Sequence, residues 1–566
     1  MSGLTLPSAP GAQLFKSGYQ TYQSEDGAIS RNIDACREIA SIVRTSIGPC
    51  GRNKIVINHL QKVFLTSDAA TILRELEVIH PAAKLMVMAS QQQESEMGDA
   101  TNLVIILAGE LLNQAESLIR IGLHPADIIQ GYELAEKFAQ TSLDELVVDK
   151  VGDLHDQKEL FKAIRPAIMS KQYGSEDFLA DLVSEAVLSV MPKNPKAFNV
   201  DNVRVVKIMG SSLSASRVVK GMVFNREPEG SIKKITSTAR VGVFTCPIDI
   251  SQTETKGTVL LHNAKEMLNF TKDEEAHLEA DIKAIADSGV RVLVAGAAIG
   301  ELALNYLNRY GILALRVPSK FDLRRLCRVV GATPLPRFGA PMPEEMGKID
   351  VVETIEIGGD RVTVVRQENE ITRTSTIVIR GATQGLLDDV ERAIDDGVNI
   401  IKSLAKDGRL LPGAGATEIE LVQRIGAYGE KTPGILQHAI KKYGEAFEIV
   451  PRILADNAGL DATELLGRLY VAHGSSSSSS SSKKEGEEVS GVSVGVDMDE
   501  NDASGVLDAA ANGIYDALAA KSWALKLATD TVNTILSVDQ IVMAKRAGGP
   551  VMPKTQMPGN WDADDD

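Results

Sequence analysis

Apolar residues at Ile33, Cys36, Ile39, Ala40, Val43 and Ile47 recur at helical spacing, and Gly48-Pro49 then stops the pattern. KIVIN (54–58) and KVFLT (62–66) alternate like the arms of a hairpin. Asp68 precedes the helical stretch AATILRELEV, Pro81 opens HPAAKLMVMAS as a first-turn proline, and Asp99 precedes TNLVIILAGELLNQAESLI. The spacing therefore predicts a mostly helical first 150 residues, with carboxylates at two helix starts.

Helical spacing continues from Val151 to about Arg217, and then the period changes. RVVKIM (204–209), KGMVF (220–224) and ARVGVFT (239–245) read as strands. Thr271 and Glu274 form a T-x-x-E capping box predicted to open a charged helix through Ala286. RVLVAG, GELALNYLNRYG and ILALRV (291–317) alternate strand, helix, strand, which predicts a parallel βαβ unit. Strands return at RVTVVRQ (361–367) and TSTIVIRG (374–381), and helices dominate afterwards. An α/β module inserted into a helical domain made from both chain ends is the expected organisation. Eight serines (475–482) and KKEGEEVSG lie between LYVAH (469–473) and VSVGVDM (492–498), which predicts a loop insertion at a hairpin tip.

Composition narrows the function classes. A chain of 566 residues is too long for a single core. Its 44% hydrophobic and 24% charged content is that of an ordinary globular protein. A net charge of −16 supports neither nucleic acid nor an anionic membrane as partner. The most apolar membrane candidate, 290–307, contains Arg291 and Glu301 and reads better as strand and helix. The N-terminus has no basic region followed by an apolar run, and the four cysteines are scattered, so a reducing compartment, the cytosol, is expected.

Three glycine-and-carboxylate stretches carry the chemistry: SIGPCG (46–51), GDATN (98–102) and PGAGATE (412–418). Helix N-termini offer unpaired N–H groups and a positive dipole end, so several of them converging would cradle phosphate, while nearby carboxylates hold Mg²⁺. Each stretch alone also fits a bland role, as a helix C-cap, an N-cap or a tight turn. SIGPCGRNK lacks the GK[ST] ending and follows a helix, so it is not a Walker A loop. GVSVG (491–495) matches a nucleophile elbow by letters only, without the strand-to-helix turn. The eight histidines are dispersed with no zinc spacing. Among Asp388, Asp389, Asp395 and Asp396, composition alone selects none.

RTSIGPCGRNKIVIN, TSDAATILRELEVIHPAAK, GDATN, ERAIDDGVNIIK, LPGAGATEIEL and NGIYDALAAKSWALKLATDTVNTILSVDQIVMA, in that order, resemble the motif series of group II chaperonins. The likeness runs from about Phe15 to Pro550, apart from the serine insertion. It implies a multidomain α and β chaperonin fold. An equatorial ATP-binding domain would span 1–150 and 408–566, with its serine-rich insertion at 474–490. Intermediate segments would span 151–217 and 373–407, and an apical substrate-binding domain 218–372, with a helical protrusion at about 251–282. The family's partners would be seven paralogous subunits in a hetero-oligomeric double ring and unfolded or nascent cytosolic proteins, actin and tubulin among them, with no nucleic acid and no membrane.

The same resemblance implies site residues and the cofactors ATP and Mg²⁺. Ile47, Gly48 and Pro49 match a nucleotide-contacting loop, Asp99 the Mg²⁺ ligand, and Ala100, Thr101, Asn102 and Leu103 the phosphate turn. Asp68 matches the aspartate near the γ-phosphate, and Asp396 the aspartate that orients the attacking water. Met169 and Lys171 match the phosphate-sensing loop, Gly413, Ala414 and Gly415 the glycine triplet, and Ile514 and Asp516 the sugar and base contacts. The sequence departs from the family pattern where GDGTT becomes GDATN, NDGAT becomes SDAAT, GPKG becomes GPCG and GGG becomes GAG. Alanine for glycine restricts the backbone near phosphate. Slower hydrolysis is expected, and reverting Ala100 to Gly with Asn102 to Thr should raise it. A metabolic phosphotransferase and a scaffold subunit with little turnover are the competing classes.

Overall fold

The computed structural model describes residues 20–22, 27–249, 264–367, 374–478, 491–498 and 505–543. In chain order the helices are α1 (Gly27–Arg44), α2 (Ala69–Glu75), α3 (Pro81–Glu96), α4 (Thr101–Ile121), α5 (Pro125–Glu145), α6 (Gln157–Met169) and α7 (Glu176–Val190). There follow α8 (Ala264–Asp287), α9 (Glu301–Arg309), α10 (Lys320–Val330), α11 (Gln384–Lys406), α12 (Ala416–Lys431), α13 (Leu436–Glu445), α14 (Ile449–Ala458), α15 (Ala462–Ser478) and α16 (Leu518–Leu536).

One helical core takes residues from both ends of the chain. Ile33, Val43, Leu107 and Leu111 pack with Ile425, Tyr443, Leu525 and Val532. Small residues bring the helices together: a Cβ on Gly109 would lie 2.4 Å from the Cβ of Ala40, and one on Gly131 2.4 Å from that of Ala439. The buried phenols here keep partners, as buried polar groups must. Tyr132 donates to the Leu111 carbonyl at 3.0 Å, and the Tyr443 hydroxyl meets that of Thr529 at 2.8 Å. Among the described residues α4 is the one helix long and apolar enough to cross a bilayer, and it is a largely buried element of this core.

The middle of the chain builds two sheets. A six-stranded sheet runs in the order 203–209, 375–381, 217–224, 360–366, 351–357, 234–235, with only its first pair parallel. Every residue of the strand Ser375–Gly381 is buried, because the two-residue period sends Ile377 and Ile379 toward α6, α7 and α11 and Val378 toward the opposite face. The second sheet, in the order 313–316, 290–295, 239–244, 347–349, contains the expected βαβ unit around α9 with parallel pairing. Both its faces are covered, Val241, Val292 and Leu315 on one side and Phe244, Leu293 and Ala314 on the other.

The helical reading to about Arg217 runs too far, since α7 ends at Val190 and Val203–Met209 is already a strand, and three further local expectations fail. α1 ends at Arg44, short of Ile47, because the chain turns to bond Ser46 N–H to the Val43 carbonyl and Arg52 N–H to that of Thr45. α8 begins at Ala264, so Thr271 lies inside a helix and not at its cap. LYVAH is helical within α15, and Val494–Val496 pairs instead with Val506–Asp508, so no hairpin joins LYVAH to VSVGVDM. Residues 251–263 of the expected protrusion and the serines at 479–482 lie outside the described residues.

Candidate functional site

A cavity of about 800 Å³ opens where the helical core meets α6 and α11. Of the seventeen sequence-derived site residues, all but Asp68 and Gly413 line it. Asp68 sits one layer behind, accepting from Thr101 Oγ1 at 3.2 Å, and Gly413 supports the wall by donating its N–H to the Ile514 carbonyl at 3.0 Å.

Local chain geometry explains the convergence. The turn after α1 needs the left-handed φ of 81° at Gly48, where a Cβ would also come 2.7 Å from Leu454 Cδ2. Asn457 on α14 donates to the Ile47 carbonyl at 3.0 Å and fixes that turn in place. At GDATN the chain reverses through Gly98 and Ala100, with φ of 76° and 63°. Ala100, not Asp99, is the N-cap of α4, and no side chain caps the helix. The Asp99 carboxylate instead accepts from Ala100 N–H at 2.6 Å. Asp68 does cap α2, taking the backbone N–H of Thr71 at 3.0 Å and its hydroxyl at 2.8 Å. Gly415 caps α12, again with no side-chain bond. Strand Arg409–Pro412 pairs with Tyr515–Ala517, which sets Leu411 opposite Asp516 and joins the PGAGATE turn to the start of α16.

The cavity thus receives the N-termini of α4 and α12, neither with a side-chain cap, and their first-turn N–H groups and positive dipole ends suit an anion. Beside the start of α4 stands an acidic cluster around one cation. Lys171 ion-pairs with Asp396 on α11 and lies 3.5 Å from Asp68. Burial alone would lower the Lys171 pKa, but Asp396, Asp68 and Asp99 outweigh it and keep the ammonium protonated. Burial pushes the Asp99 and Asp396 carboxyls up, for Asp396 well above the ordinary range. For Asp68 the same penalty is overcome by Lys171 and by hydrogen bonds from Thr71 and Thr101, which bring it to about 2.

Burial holds the Asp99 and Asp396 carboxyls toward their neutral forms, and a divalent cation bound beside them would favour the charged forms. Among the described residues no three ligating side chains converge into a self-sufficient metal cage. Mg²⁺ requires none, since it takes one or two carboxylates and completes its shell with water and phosphate oxygens. Asp99, beside the open end of α4, fits that role.

Sequence reasoning missed Lys521 and its pairing. Lys521 on α16 lies 2.8 Å from both Glu418 and Asp516, and all three line the cavity. The signal was a lysine amid the apolar run YDALAAKSWAL, because a lysine on a buried helix face requires a carboxylate partner. Asn102 is also more than a lining residue. Its Oδ1 accepts from Ala69 N–H at 2.9 Å, and its Nδ2 donates to Ser46 Oγ at 3.2 Å and to the Ser67 carbonyl at 3.3 Å.

Comparison with known proteins gives full-length likenesses. The probable T-complex protein 1 subunit theta of Schizosaccharomyces pombe is 60% identical over 562 residues, 99% of this chain and 100% of that protein. The T-complex protein 1 subunit theta of Saccharomyces cerevisiae is 58% identical over 572 residues, with the same coverage, and that of Homo sapiens 50% over 564 residues, 100% of this chain and 99% of the human one. A model of the TCP-1/cpn60 chaperonin family matches residues 39–546, and with relatives this similar over their whole length the chain belongs to that family.

Proposed function

We propose that this chain is an ATP-hydrolysing subunit of a hetero-oligomeric chaperonin, in which nucleotide turnover drives closure around an unfolded protein. The observation that carries the reading is a cavity lined by residues from both chain ends and from the middle: Gly48 and Asp99, Lys171 and Asp396, and Gly415 and Asp516. The core made from both chain ends is then the equatorial domain, α6, α7 and α11 belong to the intermediate domain, and the sheet around α9 is the core of the apical domain. The names of the relatives as T-complex subunits support a place among paralogous subunits.

The residues divide the work as follows. Gly48, Gly415 and the open first turns of α4 and α12 bind the phosphates, and Ile514 and Asp516 face the nucleoside. Asp99 would hold Mg²⁺, which when bound supplies positive charge to the phosphate oxygens. Lys171 holds Asp396 until phosphate competes for its ammonium. Asp396 orients a water once α11 is seated, so hydrolysis depends on the position of a helix outside the equatorial core. Asp396→Asn should retain nucleotide binding and lose hydrolysis; loss of binding instead would defeat the assignment.

A second reading, a subunit that binds nucleotide but turns it over slowly, is favoured by Ala100 and Ala414. Both alanines adopt left-handed backbone angles, φ 63° and 54°, that suit glycine.

A further inference from the structure

α11 offers more than Asp396 to the cavity side. Asp389, Arg392 and Asp396 are spaced by three and four residues and so lie along one stripe of the helix. Asp389 is only 3% exposed. One of its oxygens accepts from Gln172 Nε2 at 2.6 Å, while the other has Arg392 at 3.9 Å. Arg392 in turn donates to the Leu65 carbonyl, at the base of the 54–66 hairpin, at 3.1 Å. Gln172 is the residue after Lys171, so two consecutive residues past α6 grip two carboxylates on α11, Lys171 taking Asp396 and Gln172 taking Asp389.

We propose that Asp389 is a positioning residue for hydrolysis: through Gln172 it sets the height and rotation at which α11 presents the Asp396 carboxylate to the cavity. Apolar packing of Leu387, Val390, Ile394 and Val398 already seats α11 against α6 and α7, and a second polar contact seven residues from Asp396, about 10 Å along the axis, adds a fixed distance on the stripe that carries that carboxylate. The chemistry of the contact points the same way. A carboxylate buried against the neutral amides of Gln172 and Asn53, with its nearest cation at 3.9 Å, is a costly way to fill space, and an apolar side chain would pack there at less expense. Burial accordingly raises its pKa. Its return is directional, because a short amide-to-carboxylate bond fixes a distance that apolar packing leaves loose. Misplacing a reacting group by about 1 Å is enough to slow a reaction about 100-fold.

The proposal rests on the reading of the cavity as an ATPase site with Asp396 as the water-orienting acid. The test uses the full chain as it assembles, with Asp389→Ala, Gln172→Ala, their combination, and the exchange Asp389→Gln with Gln172→Asp. Asp389→Asn covers the case in which the alanine variant does not fold. MgADP affinity and single-turnover ATP hydrolysis are measured side by side. Each single variant should slow hydrolysis about 10- to 100-fold while affinity stays within about two-fold, and the double should be no slower than the worse single. The exchanged pair should recover part of the rate. Normal hydrolysis without Asp389, rate and affinity falling together, or multiplicative losses in the double would each overturn the positioning role alone. Failure of the unaltered chain to bind MgADP would overturn the ATPase reading and the proposal with it.

Discussion

Ala100 is the sharpest place to perturb this molecule, since it caps α4 with φ 63° and ψ 24° and has no side-chain bond to compensate. A left-handed L-residue costs about 1–2 kcal/mol relative to glycine. Replacing alanine by glycine returns about 0.4–1 kcal/mol of that to the unfolded chain as conformational freedom. Ala100→Gly should therefore stabilise the start of α4 by about 0.5–1 kcal/mol, or about two- to five-fold. The whole chain has several cores and will not unfold in two states, so a global melting temperature is the wrong readout. Amide hydrogen exchange is local, and Val104 N–H, bonded to the Ala100 carbonyl at 3.3 Å, reports the first closed turn. Its exchange should slow two- to five-fold, about the factor just derived. Ala100→Val, with a branched side chain in the same backbone region, should speed it. Faster exchange in the glycine variant would refute the strain argument and remove the physical ground for expecting slow hydrolysis.

Asn102→Thr should act in the opposite sense. A threonine cannot span Ala69, Ser46 and Ser67 together, and leaving the Ala69 N–H or Ser67 carbonyl unpaired costs about 1–3 kcal/mol; exchange in α2 should quicken, and unchanged protection there would refute the network's role. Reverting positions 100 and 102 together thus mixes a gain with a loss, and the rate increase expected from the sequence should come from Ala100→Gly alone. A pH profile tests the acidic cluster: burial favours protonated Asp396, so the charge needed to orient water appears only as pH rises through its elevated pKa. The acidic limb of hydrolysis should lie above the ordinary aspartate value of about 4, and a limb at or below it would refute the assignment. Asp68 has the reverse sign, its stabilising contribution being complete above that ordinary value and lost as pH falls through about 2.

Helical and alternating periods made many single elements legible but not every edge, since the strand Val203–Met209 lies inside the stretch read as helical to about Arg217. The strand Ser375–Gly381 and the βαβ unit around α9 stand where the pattern put them. Asp68 was readable as an N-cap because capping is local, whereas Asp99 was misread because the left-handed turn at Ala100 is imposed by the fold. LYVAH failed as a strand for the usual reason that a short apolar run does not declare its period. Lys521 in its apolar run announced a buried partner, but Glu418 lies more than a hundred residues away and nothing local names it. Resemblance to a family supplied the site residues, while geometry supplied what resemblance could not: that Asn102 ties three segments together and that both alanines stand in glycine's backbone region.

A core assembled from both chain ends has a cost in time. α1 to α5 leave the ribosome first, yet Ile33, Leu107 and Leu111 wait for Tyr443, Leu525 and Val532 to be synthesised. At about 5–20 residues per second that interval lasts tens of seconds. During it the nascent helices hold their apolar faces open to the crowd around them. A member of a chaperonin family would itself pass through an unfinished state of the kind chaperones act on.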